Sequence, residues 1–318
     1  MKTHQDQIWI SEPREQAVVE QLHNTITSLG FASLEQSQDK NYGFPYVYIR
    51  GDTKISCRVV DSVFFPELDP DTDTIITDNI PLQPIGSELI NVLPEFWGIW
   101  QFDPVYKNRP ASIGFNCFMN RVRGDRSITF YELIRRNIVD NGLVSFNCTR
   151  VEYMDQYEQA ELYDYWREHD QGLELVPYNT VEAHGSLEQC IIDSNVSLIL
   201  ETYVSDSHIV FSEKIFRALQ LPRPWLLYCS PGSVLCLKQY GFDILADYVD
   251  HGYDEIMEHV GRHLIILNQL ETFINKVYTE QDYARFDRAA THNQQLLKHF
   301  AVKWPKKFNT ILEKIKQI

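Results

Sequence analysis

The segment from Leu198 to Phe242 constrains the fold more than any other part of the chain. It reads LILETYVSDSHIVFSEKIFRALQLPRPWLLYCSPGSVLCLKQYGF, an order typical of strand, loop, helix, strand, glycine turn and helix. Its polar residues cluster where strands end and helices begin. In an open α/β sheet those positions face one crevice, and ligands bind there. The segment therefore predicts an α/β fold with a ligand site at the carboxyl ends of its strands.

The same alternation begins earlier in the chain. The pattern predicts a strand at 112–120, a helix at 127–142 and a strand at 143–147. Strands that alternate with helices favour a parallel sheet. The alternation therefore predicts a Rossmann-like domain in this half of the chain.

The first 110 residues show shorter elements. The patterns predict a helix between residues 13 and 29, a short helix near 86–93, and strands at 7–10, 45–51, 54–60 and 72–78. A linker is predicted at Asn108–Pro110, since a residue before proline avoids the helical region. Long helical spacing resumes near residue 255. We therefore predict an N-terminal acceptor-side domain at 1–110, a ligand-binding domain at 111–275, and C-terminal helices at 276–318 that pack back toward the first domain.

The charge of the chain is strongly negative overall but uneven. The formal net charge is −15 and the isoelectric point is about 5.1, which argues against a general polyanion binder. Residues 298–318, however, hold six lysines and one glutamate. Two readings stay open for this tail: a solvated amphipathic helix, or a docking surface for an acidic partner that uses Lys303, Lys306 and Lys307.

The six cysteines lack the paired spacing of a metal site, and several occupy apolar runs. We expect reduced thiols in a cytoplasmic protein. There is no charged and apolar leader, and no apolar run approaches the length of a membrane span. The expected location is the cytoplasm, without a membrane span.

Two groups of residues qualify as anion-binding sites. Ser212, Glu213 and Lys214 open a predicted helix, although a serine cap followed by an acid serves any helix. Arg121, Arg123 and Arg126 follow a predicted strand and could close on a diphosphate in bidentate fashion, or bridge to the acidic segment 152–170.

Metal ligands are expected to be absent. Asp69, Asp71 and Asp73 resemble an Asp-x-Asp motif, but they lie in a proline-rich turn typical of a solvated loop. His259 and His263 are four residues apart on a predicted helix, and no neighbouring carboxylate completes a site.

These residues together resemble a known family. Glu201, Ser205, His208, the Ser212–Lys214 tripeptide and the run Arg223–Trp225 resemble the donor-binding half of fucosyltransferase-type glycosyltransferases of the GT-B fold. The run from Asn120 to Arg126 resembles the same family. The overall sequence, including the segments RPWLLYCSPGSV and GFDILADYVDHGYD, looks like the glycosyltransferases of tailed phages. The likeness covers about residues 112–265. It implies two Rossmann-like domains that face each other across a cleft, with a helical C-terminal tail.

The resemblance also implies an activity: metal-independent, inverting transfer of a sugar from a UDP- or GDP-sugar, without a further cofactor. Carried over by position, Glu213 would hold the donor ribose, and Lys214 with Arg121 or Arg123 would hold the diphosphate. Further donor contacts are expected from Glu201, His208, Ser212, Gly232 and Ser233. The family's asparagine after the strand-end glutamate is Thr202 here, and this departure leaves the nucleotide and the sugar open.

The acceptor and its base are less constrained. A carboxylate is needed to deprotonate the acceptor hydroxyl. Asp78 is the first choice, and Asp61, Glu95 and Asp103 are the alternatives. Phage enzymes of this type suggest hydroxymethylated cytosine in double-stranded DNA, which would receive a hexose or a pentose such as arabinose in the host cytoplasm. A surface or lipid-linked glycan is the alternative acceptor, and a non-catalytic nucleotide-binding protein is the alternative class.

Overall fold

The structure is a computed structural model. It describes residues 7–10, 24, 27–28, 30, 32–34, 47–50, 53–57, 74–77, 80–81, 90–92, 94–104, 106, 110–119, 124–146, 164–165, 167–168, 177–182, 184–201, 204 and 208–316. The chain divides into two compact units, which are Met1–Ile99 with Leu297–Ile318, and Trp100–Leu296. We refer to them as unit 1 and unit 2. The domain boundaries near residues 110 and 275 that the sequence suggests stay a prediction.

Six of the strands described in unit 1 form one mixed sheet. Its strand order is β2-β3-β4-β1-β5-β7, in which β4, β1, β5 and β7 are parallel and β2 and β3 are antiparallel to their neighbours. The strands described before residue 100 are β1 (Gln7–Ile10), β2 (Ala32–Leu34), β3 (Val47–Arg50), β4 (Thr53–Cys57), β5 (Thr74–Thr77), β6 (Ile80–Pro81) and β7 (Ile90–Val92).

Unit 2 contains a mixed, five-stranded sheet of order β10-β9-β8-β11-β13. Strands β9, β8, β11 and β13 run parallel, and β10 pairs antiparallel at the edge. The strands of this part of the chain are β8 (Ile113–Met119), β9 (Gly142–Phe146), β10 (Tyr178–Asn179), β11 (Ser194–Leu200), β12 (His208–Ile209) and β13 (Trp225–Tyr228).

Helices follow most of the strands of unit 2. They are α1 (Gly124–Arg135), α2 (Leu187–Asp193), α3 (Glu213–Leu219), α4 (Ser233–Gln239), α5 (His259–Ile274) and α6 (Glu280–Lys316), with short 3-10 helices at Pro94–Trp100, Val139–Asn141 and His251–Glu255. The first part of α6 belongs to unit 2, and the part from Leu297 onward belongs to unit 1.

The sheet of unit 2 is buried on both faces. Every residue of β9, β11 and β13 is buried, as is usual for parallel strands covered by helices. Ile266, Leu267 and Leu270 of α5 are fully buried in this core. The fold is therefore α/β, with a mixed sheet and helices compatible with a Rossmann-like arrangement.

Two elements differ from the sequence-based prediction. The short helix expected near 86–93 is wrong, because β7 occupies Ile90–Val92 and pairs with β5, and a 3-10 helix follows at Pro94–Trp100. Ile90 and Val92 are β-branched, which suits a strand once a partner strand is adjacent. The helix predicted at 127–142 is α1, which begins at Gly124, so Arg126 lies within a helix and not at a strand end. It ends at Arg135 and not at residue 142, because a 3-10 helix follows at Val139–Asn141 and β9 begins at Gly142.

Candidate functional site

Strand order places the candidate site at the carboxyl edge of the unit 2 sheet. Strands β8 and β11 are neighbours, while the chain passes from β8 to β9 on one side and from β11 to β13 on the other. Such a change of direction opens a crevice outside the carboxyl ends of the strands, which is where open α/β sheets bind ligands. Glu201 follows β11 directly, and residues 120–123 follow β8 in the chain.

Glu201 is the buried end of a short chain of hydrogen bonds. The residue is 1% exposed. Its Oε1 accepts the backbone N–H of Ser212 at 3.1 Å, and its Oε2 accepts the Ser212 hydroxyl. Its own N–H donates to the Tyr228 carbonyl at 3.0 Å, which ties it to β13. Strand β11 and the start of α3 are therefore joined at this carboxylate.

Lys214 lies at the outer end of the same chain. Its Nζ donates to the Ser212 Oγ at 3.0 Å and lies 3.8 Å from the Glu201 Oε2. A second carboxylate, Glu213, lies 3.9 Å from the same nitrogen. The Lys214 side chain is 23% exposed and that of Glu213 is 41% exposed, whereas that of Glu201 is fully buried. Only Lys214 and Glu213 of this group can meet a ligand that arrives from solvent.

The glycine turn after β13 is filled by a carboxylate of the chain itself. Gly232 has φ +77, the left-handed conformation that glycine adopts readily, and caps α4. Its N–H donates to the Asp254 carbonyl at 2.8 Å, and the Leu235 N–H donates to the Asp254 Oδ2 at 2.9 Å. The Ser233 hydroxyl donates to the Ser230 carbonyl. The donor-binding role of Gly232 and Ser233 stays a prediction, and the hydrogen bonds of this turn are internal.

The carboxyl group of Asp254 has a pKa above its ordinary value. Burial raises its pKa, and hydrogen bonds from the backbone N–H groups at the start of α4 oppose that rise. Sequence analysis assigned no role to this residue, because it lies far along the chain from the turn that it caps. Only the fold brings the two together.

A buried polar cluster lies at the same edge. The amide of Asn195, near the start of β11, donates to the Phe273 and Ile274 carbonyls at the end of α5. The end of α5 therefore lies at the amino edge of the sheet, and its beginning lies toward the carboxyl edge. There Arg262 donates to the His259 Nδ1 at 3.0 Å. The His263 Nε2 lies 2.8 Å from the Thr129 Oγ1.

Apart from the spacing of its two histidines, no sequence pattern indicates how this cluster packs. Arg262 lies over the Tyr228 ring, at 5.5 Å from its centroid. His259, Arg262 and His263 are all buried, at 5%, 1% and 1% exposure. Among the residues that the structure describes, no group of three or more histidine, cysteine or acidic side chains could hold a metal ion. The cluster therefore ties α5 to α1 and β13.

The remaining predicted donor residues are only partly placed. Arg121 and Arg123 lie outside the described residues, between β8 and α1 in the chain. Arg126 is 2% exposed within α1. His208 lies in β12, and its side chain is outside the description. The aspartates at 69, 71 and 73 also lie outside the described residues.

The candidate bases fall in different places. Asp78 follows β5 and Asp61 follows β4 in the chain, and both lie outside the described residues. Glu95 lies in unit 1 and accepts a hydrogen bond from the Lys307 Nζ at 2.8 Å. Asp103 is exposed and belongs to unit 2. Lys303 and Lys306 are exposed on α6.

Comparison with known proteins returns no relative: no protein-family model, no curated protein and no solved structure matches the chain.

Among the described residues, no helix is both long enough and apolar enough to cross a membrane. The buried cysteines at 117, 190, 229 and 236 are free thiols, and burial raises the pKa of Cys117 and of Cys229 to about 12.

Proposed function

We propose that the protein is a glycosyltransferase that transfers a sugar from a nucleotide-sugar donor to a hydroxyl acceptor. The observation that carries the proposal is the Lys214 ammonium, held at the carboxyl edge of the unit 2 sheet and partly exposed to solvent. A cation at this edge suits a diphosphate, and the adjacent Glu213 carboxylate suits the paired hydroxyls of a ribose.

Strand order in the two units supports a GT-B-like pair of Rossmann-like domains. The parallel strands of unit 1 occur in the order β4-β1-β5-β7, and those of unit 2 in the order β9-β8-β11-β13. When the four parallel strands of each sheet are numbered by their order along the chain, both sheets place them in the order second, first, third and fourth. In each sheet an antiparallel strand pairs with the second one. The end of α6 also belongs to unit 1, as expected for a tail that packs back on the first domain.

The proposed reaction is a single displacement at the anomeric carbon. A carboxylate takes the proton of the acceptor hydroxyl, the hydroxyl oxygen bonds to the anomeric carbon, and the bond from that carbon to the diphosphate oxygen breaks. Lys214, with Arg121 or Arg123, stabilises the charge that develops on the leaving diphosphate, so the mechanism needs no metal ion. Asp78 is proposed as the base, since it comes directly after β5 in the chain.

The proposed acceptor is hydroxymethylated cytosine in double-stranded DNA. The lysines exposed on α6 are what favours it, because phosphate contacts need cations and the rest of the chain is acidic. A surface or lipid-linked glycan is the alternative acceptor. A protein that binds the nucleotide without turnover is the alternative class, and it would neither hydrolyse nor transfer the donor sugar.

Donor binding tests the proposal directly. Calorimetry with a panel of UDP- and GDP-sugars should detect binding to the wild-type protein. Lys214→Ala should weaken that binding about tenfold to a hundredfold, since a hydrogen bond to a charged group contributes about 1.5–3 kcal/mol. Glu213→Gln should weaken binding of nucleotide sugars more than binding of pyrophosphate, because it affects the ribose.

A matched control is available in the same unit. Lys238 is exposed at the other end of α4, and Lys238→Ala should leave donor affinity unchanged. Wild-type donor affinity in both Lys214→Ala and Glu213→Gln would exclude this site, and the absence of binding to any donor would exclude the proposed class.

A further inference from the structure

We propose that Glu201 and Ser212 are positioning residues that hold Lys214 in place, and that neither of them contacts the ligand. The inference rests on the proposed function in that Lys214 is the group that meets the donor diphosphate. It changes the role of two residues that the sequence assigns to direct donor binding.

Burial excludes direct contact between Glu201 and a ligand in this arrangement. Its side chain is fully buried, and both carboxylate oxygens accept hydrogen bonds from Ser212. Ser212 is itself 1% exposed. A ligand at the carboxyl edge therefore meets neither group unless the start of α3 moves away from β11.

The direction of the hydrogen bonds shows how Ser212 links Lys214 to Glu201. The Ser212 hydroxyl donates its one proton to Glu201, so its lone pairs accept from the Lys214 ammonium at 3.0 Å and from the Lys214 N–H at 3.4 Å. The charge of a buried carboxylate thus reaches a partly exposed ammonium through one hydroxyl. Because a buried carboxylate is costly without a cation nearby, Lys214 is held next to Glu201.

Holding the lysine has a consequence for binding. A lysine side chain that moves freely has rotamer entropy, which is lost when the ammonium is immobilised on a ligand. A lysine that is already held loses less, and the affinity for an anion rises accordingly. Removal of the Ser212 hydroxyl should therefore weaken anion binding although the hydroxyl does not touch the anion.

The reactivity of the Lys214 amine tests the positioning without any ligand. Reductive methylation of the folded protein, followed by mass spectrometry, gives a rate for each lysine. We expect Lys214 to react several-fold faster in Ser212→Ala and in Glu201→Gln than in wild type, because the amine is released. Ser212→Thr keeps a hydroxyl and should restore the wild-type rate, and exposed Lys238 should react equally in all four proteins.

Inorganic pyrophosphate provides the second readout. It should protect Lys214 from methylation in the wild-type protein, and its affinity should fall about tenfold in Ser212→Ala and recover in Ser212→Thr. A wild-type methylation rate at Lys214 in Ser212→Ala would overturn the positioning role, and so would a failure of pyrophosphate to protect Lys214. If Glu201→Gln fails to fold, the alanine and threonine variants of Ser212 still decide the question.

The two proposals can fail separately. Protection by pyrophosphate with no binding of any nucleotide sugar would end the glycosyltransferase proposal and leave the positioning role intact. The positioning role would fail and the glycosyltransferase proposal would stand if two results were found together. Nucleotide sugars would bind wild type and Ser212→Ala with the same affinity, and Lys214 would be methylated at the same rate in both proteins.

Discussion

His263 is an uncharged histidine in the interior of unit 2. The Thr129 hydroxyl donates to the Asp125 carbonyl at 2.7 Å and so accepts from the His263 Nε2–H. The pKa of His263 is lowered to about 4, mainly by burial; the Glu132 charge opposes this shift, and the charges of Arg136 and Arg262 contribute to it. The folded protein therefore binds a proton at this ring much less readily than the unfolded chain does.

This shift predicts how stability depends on pH. In the unfolded chain the ring has a pKa near 6.5, so between about pH 6.5 and pH 4 the unfolded state binds more protons than the folded state. The contribution of His263 is complete above pH 6.5 and is lost as the pH falls toward 4, with a slope of at most about 1.4 kcal/mol per pH unit. Urea unfolding of wild type and His263→Gln between pH 4.5 and pH 8 should show this slope reduced in the variant. Equal slopes in the two proteins would contradict the assignment.

The C-terminal part of α6 packs on the 3-10 helix at Pro94–Trp100. Residues 94–99 of the 3-10 helix and residues 297–316 of α6 belong to unit 1. A Cβ atom on Gly98 would lie 2.7 Å from the Phe300 carbonyl carbon and would collide with the Ala301 backbone. Trp97 packs beside Phe300, with ring centroids 6.5 Å apart. The absence of a side chain at residue 98 is therefore what allows the two helices to meet.

Gly98→Ala should separate these two helices. Overpacking of this kind costs about 1–3 kcal/mol, and shortening a neighbouring side chain cannot relieve it because the atoms in the way belong to the backbone. We expect a lower free energy of unfolding and faster amide hydrogen exchange in residues 297–316. Val302 is 79% exposed on the same helix, and Val302→Ala should change stability by less than about 0.5 kcal/mol. Unchanged exchange in Gly98→Ala would show that the contact does not hold α6.

Charge is distributed unevenly over the whole molecule. The chain carries a net charge of −15, yet Lys303 and Lys306 are exposed on α6, whereas Phe300 and Trp304 of the same helix are buried. Lys307 is instead occupied with Glu95, at 2.8 Å. If DNA is the acceptor, we expect Lys303 and Lys306 to supply phosphate contacts against the repulsion of an acidic surface.

A double charge reversal tests this interpretation. Lys303→Glu with Lys306→Glu should raise the KM for hydroxymethylcytosine DNA, leave donor hydrolysis nearly intact, and reduce the salt dependence of DNA binding by about 0.9 in log–log slope for each lost phosphate contact. Lys238→Glu with Arg167→Glu makes the same change in net charge at exposed positions outside α6. If the two double variants behave alike, α6 does not bind DNA, and a glycan becomes the better acceptor.

Local pattern determined most of the elements of unit 2. Apolar runs bounded by turn residues predicted β8, β9, β11 and β13, and the helix starts at Glu213 and Ser233 followed from the polar residues there. In unit 1 the strands β3 and β4 were also predicted. These features depend on neighbours a few residues apart, so the sequence by itself is sufficient for them.

Tertiary structure decided which groups at the strand ends face solvent. Residues 201 and 212 are both polar, and nothing local distinguishes a ligand-binding carboxylate from one that a serine covers. In the same way Asp254 fills the turn at Gly232 only because the fold brings distant segments together. The sequence determined the fold class and the edge at which a site should form. The packing of β11 against α3 decided that Lys214 and Glu213, and not Glu201, are exposed there, because burial depends on contacts that no local pattern contains.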